Sequence, residues 1–132
     1  MRHLGRLFIV RHGESVWNIT DKSLKRETRF TGWADIPLSE IGEKQATASG
    51  HCLASLKIPI DAVFTSLLQR ARLTYQLIEK NIPLIDKLNI PIIATWRLNE
   101  RHYGALVGLS KQEAEDKMGK EKVMGWRRSW DL

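Results

Sequence analysis

Five residues of this sequence have the types and spacing expected of a phosphoryl-transfer site: Arg11, His12, Gly13, Arg70 and Glu100. A neutral imidazole can attack phosphorus to form a phosphohistidine, which divides one difficult transfer into two easier ones. Gly13 lets the backbone pass close to the phosphate, and its carbonyl can hold the other nitrogen of the His12 ring. Arg11 and Arg70 suit the phosphoryl oxygens, because a guanidinium group binds phosphate through two parallel hydrogen bonds. A carboxyl group among oxyanions holds its proton closer to neutral pH, so Glu100 is the predicted proton donor and acceptor.

Taken singly, these residues also have ordinary structural explanations. Arg11 and His12 could form a surface turn, Arg70 could face solvent on a helix, and Glu100 could form a salt bridge with Arg101. The occurrence of all four residues in one chain favours a phosphoryl-transfer site. The arginines replace a metal in neutralising charge, and no P-loop or zinc-ligand pattern is present, so no metal is predicted.

Three apolar runs without alternation predict parallel strands that are covered on both faces: LFIV at 7–10, AVFT at 62–65 and IIAT at 92–95. The candidate site residues follow these runs closely, and ligands bind at the carboxyl ends of parallel strands. The sequence therefore predicts that the candidate residues meet at one edge of a parallel sheet.

Helices are predicted between these strands, in the order β-α-β-α-β with right-handed crossovers. Ser39 is predicted to cap the first helix. Its predicted apolar face is Ile41, Ala48, Cys52, Leu53 and Leu56, and that of the second helix is Leu67, Ala71, Tyr75 and Ile78. Residues 110–113 form a capping box that predicts a later helix running towards Met118. Residues 20–35 lack periodicity and are predicted to be a surface loop on the active-site side.

The composition indicates one globular domain, residues 1–132, of α/β class. The chain has 42% hydrophobic and 27% charged residues, and no apolar run approaches the roughly 18 residues of a membrane span. A single cysteine and no signal-peptide pattern predict the cytosol. The net charge of +6 favours an anionic partner, which could be nucleic acid, anionic lipid or a phosphorylated metabolite. The basic run at 22–29 has no interleaved aromatic for base stacking, so we interpret it as a solvated loop.

Several segments, taken in order, resemble one family. RHGESVWN at 11–18 resembles the signature of the histidine phosphatase superfamily. RFTGWADIPLSEIG, TSLLQRARLT, WRLNERHYGALVGLSK and WRRS are similar to segments of the cofactor-dependent phosphoglycerate mutases. The resemblance covers nearly the whole chain and implies a three-layer α/β/α fold with a mainly parallel sheet. It also implies an isomerase of glycolysis and gluconeogenesis, which interconverts 3-phosphoglycerate and 2-phosphoglycerate and is primed by 2,3-bisphosphoglycerate.

The resemblance assigns roles residue by residue. His12 would be the phosphorylated nucleophile and Glu100 the proton donor and acceptor. The residues implied to bind phosphate or carboxylate groups are Arg11, Ser15, Asn18, Thr31, Gly32, Arg70, Glu100, Tyr103, Lys111, Arg127 and Arg128. Arg127 and Arg128 come from the resemblance alone. His102 belongs to the segment around Glu100 and receives no catalytic role.

Two departures from the family pattern bear on function. Residues 19–28 are longer than the matching stretch of typical bacterial or animal members, which places an insertion near the site mouth. Family members also continue past the position that matches Leu132, and that part holds a second catalytic histidine in a motif like HGNS. We therefore expect the amino-terminal portion of a mutase fold, with weak or absent turnover.

Other functions stay open at this point. They are a phosphatase or bisphosphoglycerate mutase of the same superfamily, and a truncated paralogue that binds anions without turnover. The expected partner is a small phosphorylated metabolite, rather than nucleic acid or a membrane, and the family often forms homo-oligomers.

Overall fold

The computed structural model describes residues 5–19, 27–82 and 90–129. Its elements, in chain order, are α1 (Glu40–Ser55), β1 (Val63–Thr65), α2 (Gln69–Glu79), β2 (Ile92–Ala94), α3 (Lys111–Met118) and α4 (Lys120–Arg128). Short 3-10 turns, Trp96–Leu98 and Gly104–Leu106, lie between β2 and α3. Within these ranges, no helix is both long and apolar enough to cross a membrane.

The sheet is parallel, as predicted. β1 pairs with β2 in the register Val63↔Ile92, Phe64↔Ile93 and Thr65↔Ala94. α2 follows β1 in the chain and belongs to the connection between the two strands. The α/β class and two of the three predicted strands are confirmed.

The predicted first strand, residues 7–10, does not form a strand in the structure. Leu7 is 83% exposed and Ile9 is 86% exposed. Strand propensity mainly reflects packing against neighbours, and a strand exists only where a second backbone pairs with it. The expected cover on both faces is also not seen for β2, whose three residues are all exposed.

The helix α1 begins where predicted but buries a different face. Ser39 caps it, since its side chain accepts a hydrogen bond from the N–H of Gly42. The buried residues of α1 are Gly42, Ala46 and Gly50, whereas the predicted face of Ile41, Ala48, Cys52, Leu53 and Leu56 is exposed or half-buried. A Cβ at Gly42 would lie 2.0 Å from the carbonyl oxygen of Glu14. Close backbone approach therefore decides which face turns inward, and it selects small residues.

The helix α2 buries Arg70, Thr74 and Ile78, which lie one turn apart. Of the predicted face, only Ile78 is buried, and Leu67, Ala71 and Tyr75 are exposed or half-buried. The hydrophobic pattern missed this face because two of its three residues are polar. The consequence is that an arginine and a threonine enter the interior.

A small core joins the loop at 27–35 to the last two helices. It consists of Phe30, Leu106, Ala114 and Val123. The predicted capping box is present, with Ser110 and Glu113 each accepting the other's backbone N–H, and Gly119 at φ 86° ends α3. The N–H of Phe30 donates to the carbonyl of Leu109 at 2.9 Å. The predicted surface loop is therefore wrong at residues 30–32, which are buried, while residues 20–26 lie outside the described residues.

Candidate active site

The ring of His12 is oriented by its own neighbour. His12 Nδ1 lies 2.6 Å from the carbonyl oxygen of Gly13. A carbonyl only accepts hydrogen bonds, so Nδ1 must carry a proton, and the neutral ring then keeps its lone pair on Nε2. This contact is the one predicted from the sequence, and it leaves the lone pair of Nε2 free of that hydrogen bond.

Burial and two nearby cations favour the neutral form of His12. Burial lowers the pKa of the imidazole below its usual 6.5, and the cations of Arg70 and Arg11 lower it further. The hydrogen bond with Gly13 and the carboxylate of Glu100 raise the pKa and only partly offset these effects. The structure therefore places Arg11, Arg70 and Glu100 within electrostatic reach of His12, and the lowered pKa favours the neutral ring near pH 7.

Arg70 is the most deeply buried member of the cluster, with 1% of its surface exposed. Its Nη1 donates to the carbonyl of Ala34 at 2.9 Å, and its Nη2 donates to the carbonyl of Gly32 at 2.9 Å and to Glu100 Oε2 at 3.1 Å. A guanidinium has five N–H donors, so these three contacts leave at most two for a phosphoryl group. Arg70 thus organises the site, and it is not a solvent-facing helix residue.

Glu100 is held from two sides. Arg70 binds its carboxylate, and the indole N–H of Trp33 donates to its backbone carbonyl at 2.7 Å. The adjacent Asn99 accepts the N–H of Leu67 at 3.1 Å, which ties this segment to the end of β1. The side chain of Glu100 remains 39% exposed. A fixed but accessible carboxyl group is what proton exchange with a ligand requires.

Several predicted binding residues use their polar groups within the protein. Ser15 is fully buried, and its hydroxyl donates to Asn18 Oδ1 at 2.7 Å. The Thr31 hydroxyl lies 3.4 Å from the carbonyl of Arg29. Gly32, at φ 50°, supplies the carbonyl that binds Arg70. The hydroxyls of Ser15 and Thr31 therefore contact groups of their own loops, and Gly32 connects its loop to Arg70.

The remaining predicted binding residues lie towards the last two helices. Tyr103 packs edge-on against Phe30, with ring centroids 5.1 Å apart. The guanidinium of Arg127 lies 5.8 Å from the centroid of the same Phe30 ring. Lys111 is the first residue of α3 and Arg128 the last of α4, and both are exposed. The hydrogen bonds and ion pairs described for these residues do not connect them to His12.

Thr74 is a site residue that sequence reasoning missed. It is 4% exposed, and its hydroxyl accepts the N–H of Gly13 at 3.1 Å. The available signal was its spacing four residues after Arg70, which places both side chains on one face of α2. Within the described ranges, no group of three or more His, Cys, Asp or Glu side chains is placed to hold a metal ion.

The matching family model and the curated relatives both extend over nearly the whole chain. The model of the histidine phosphatase superfamily (branch 1) matches residues 7–132. The 2,3-bisphosphoglycerate-dependent phosphoglycerate mutase of Staphylococcus saprophyticus is 50% identical over 128 residues, which are 96% of this chain and 51% of that protein. The 2,3-bisphosphoglycerate-dependent phosphoglycerate mutase of Corynebacterium efficiens is 45% identical to this chain. The match covers 96% of this chain and 46% of that protein. The chain spans about half the length of these curated relatives.

Solved structures show the same partial coverage. Bacillus stearothermophilus YhfR superposes with a TM-score of 0.69 at 30% identity, over 88% of this chain and 50% of that one. The native structure of a mycobacterial glucosyl-3-phosphoglycerate phosphatase superposes with a TM-score of 0.63 at 25% identity, over 86% and 46%.

Proposed function

Because the chain belongs to the histidine phosphatase superfamily, we propose that it carries the His12 part of a 2,3-bisphosphoglycerate-dependent phosphoglycerate mutase. The proposed reaction interconverts 3-phosphoglycerate and 2-phosphoglycerate in the cytosol. The observation that carries the proposal is the state of His12: neutral, with Nδ1 held by a carbonyl, and under the charges of Arg11, Arg70 and Glu100.

The chemistry proposed for these residues has two steps. In the first step, the lone pair of His12 Nε2 attacks phosphorus. An N–P bond forms, and the bond between phosphorus and the glycerate oxygen breaks. Glu100 acts in this step in its protonated form: it donates its proton to that leaving oxygen and becomes a carboxylate. In the second, Glu100 takes the proton of the acceptor hydroxyl, whose oxygen attacks phosphorus as the N–P bond breaks. Arg11 and Arg70 balance the negative charge that spreads over the phosphoryl oxygens.

The donor set of this site fits 2,3-bisphosphoglycerate. The guanidinium of Arg70 with its at most two remaining N–H donors, the exposed Arg11 and the Nε2 lone pair of His12 together suit a phosphoryl group. When bound, this cofactor would supply the phosphoryl group that charges His12. The family resemblance adds Tyr103, Lys111, Arg127 and Arg128 as proposed binders of the remaining phosphate and carboxylate groups.

A phosphatase activity is the second candidate. In its favour, one of the superposed structures is a phosphatase at 25% identity, and the Glu100 side chain is 39% exposed. With water as the acceptor, Glu100 would take a proton from water instead of from a hydroxyl group.

Phosphoryl loading of His12 tests the proposal. The purified chain is incubated with 2,3-bisphosphoglycerate, and its intact mass is compared with those of His12→Asn and His51→Asn. His51 is an exposed residue of α1 and serves as the matched control. We expect one acid-labile phosphoryl group on the parent and on His51→Asn, and none on His12→Asn. A folded parent that takes up no phosphoryl group would refute the proposal.

The acceptor then separates the two candidate activities. The loaded chain is transferred into buffer with and without 3-phosphoglycerate, and the loss of the adduct is followed. Loss that requires 3-phosphoglycerate supports the mutase, and equal loss in buffer alone supports the phosphatase.

A further inference from the structure

A buried hydroxyl group connects the helix α2 to Gly13, the residue that follows His12. Thr74 lies one turn after Arg70 on α2 and is 4% exposed. Its Oγ1 donates to the carbonyl of Arg70 at 2.8 Å. A hydroxyl has a single proton, and this bond uses it, so the oxygen can only accept in its second contact. That contact is the N–H of Gly13, at 3.1 Å.

The Gly13 residue is therefore held at both of its polar groups. Thr74 binds its N–H, and Nδ1 of His12 donates to its carbonyl at 2.6 Å. On its other side, Gly13 lies against α1, where a Cβ would come within 2.2 Å of the carbonyl oxygen of Gly42. Gly13 cannot move towards α1, and the hydroxyl of Thr74 sets its position on the side of α2.

We propose that Thr74 is a positioning residue for the nucleophile: its hydroxyl orients Gly13 so that the Gly13 carbonyl holds His12 as the Nδ1–H tautomer with Nε2 free. The catalytic consequence rests on the proposed function, because it concerns phosphorylation of Nε2. The selection of the tautomer does not rest on it.

Removing only the hydroxyl group of Thr74 distinguishes its positioning of Gly13 from its contribution to packing. Thr74→Val keeps the shape of the side chain but leaves the N–H of Gly13 buried without its acceptor, which favours rotation of the loop. The carbonyl then leaves Nδ1, and part of the His12 population moves its proton to Nε2, the atom that must attack. We expect phosphoryl loading to slow by about 10- to 100-fold, as for other misplaced reacting groups.

The experiment compares Thr74→Val with Thr74→Ser and with Thr47→Val. Thr47 makes the same type of bond in α1, to the carbonyl of Glu43 at 2.9 Å, and serves as the matched control. The ¹⁵N shifts of the His12 ring are recorded well above pH 6.5, where the neutral tautomers are distinguished. The rate of phosphoryl loading from 2,3-bisphosphoglycerate is measured on the same samples.

We expect the Nδ1–H tautomer in the parent, Thr74→Ser and Thr47→Val, and a mixture with slower loading in Thr74→Val. The same tautomer in Thr74→Val as in the parent would overturn the proposal. So would an equal loss in Thr74→Ser, because the effect would then belong to the methyl group. A parent without phosphoryl loading would refute the proposed function, whereas the ring shifts would still decide the role of Thr74.

Amide exchange of the parent provides a test that needs no variant. The N–H of Gly13 donates to a buried hydroxyl, so we expect it to exchange with solvent much more slowly than the N–H groups of exposed loops. Exchange at the rate of an exposed amide would overturn the proposal even if Thr74→Val did not fold.

Discussion

Replacing Arg70 with lysine should destabilise the fold while preserving the charge beside His12. The guanidinium of Arg70 donates to the carbonyls of Gly32 and Ala34 and to the carboxylate of Glu100, at 2.9, 2.9 and 3.1 Å. A lysine ammonium is one nitrogen and cannot span two carbonyls and a carboxylate in this geometry. We expect it to keep one of the three bonds. Hydrogen bonds to charged groups contribute about 1.5–3 kcal/mol each, so the loss should be about 3–6 kcal/mol.

Urea unfolding followed by tryptophan fluorescence measures this loss. Arg72→Lys is the matched control, because Arg72 is an exposed residue of the same helix and should change the unfolding free energy by less than about 0.5 kcal/mol. A domain of this kind is stable by about 5–15 kcal/mol, so Arg70→Lys should have a much earlier unfolding midpoint. An unfolding free energy within about 1 kcal/mol of the parent would refute the view that Arg70 holds the loop and Glu100 together.

The other predictions concern single contacts of the site. Gly13→Ala would place a Cβ 2.2 Å from a backbone oxygen of α1, so it should cost about 1–3 kcal/mol in thermal unfolding and abolish phosphoryl loading. Arg11→Gln removes a cation that lowers the pKa of His12. The NMR titration midpoint of the His12 ring should therefore move to higher pH. A midpoint at or below that of the parent would contradict the effect of Arg11 on His12. Trp33→Phe keeps an aromatic ring but loses the bond to the carbonyl of Glu100, so urea unfolding should show a loss of about 1 kcal/mol, and an unchanged midpoint would count against that contact.

The sequence predicted the local features of this protein well. The Ser39 cap and the capping box of Ser110 and Glu113 depend on residues within one turn of each other, and both are present. The contact between Nδ1 of His12 and the carbonyl of Gly13 joins neighbouring residues and was also predicted. The parallel pairing of β1 and β2 followed from the β-α-β order, which leaves few alternatives.

The buried faces of the helices could not be predicted from hydrophobic spacing. α1 turns inward its small residues Gly42, Ala46 and Gly50, because a neighbouring backbone comes too close for side chains. α2 turns inward Arg70 and Thr74, which a hydrophobic pattern assigns to the surface. The apolar run at 7–10 likewise has the composition of a strand but no strand pairing. In each case the buried face or the strand pairing depends on which segment packs against the helix or strand. The spacing of residues along the sequence does not identify that segment.

The sequence by itself determined which groups are available for the proposed chemistry: a histidine followed by a glycine, two arginines and a glutamate, each close behind an apolar run. These residue types have intrinsic reactivity that no fold needs to supply. The tertiary structure decided how that reactivity is controlled. It buried Arg70 so that three of its donors hold the protein together, and it placed Thr74 against Gly13. Contacts between residues 30 to 61 positions apart arise only when helices and loops pack, because packing brings together donors and acceptors that the chain keeps apart.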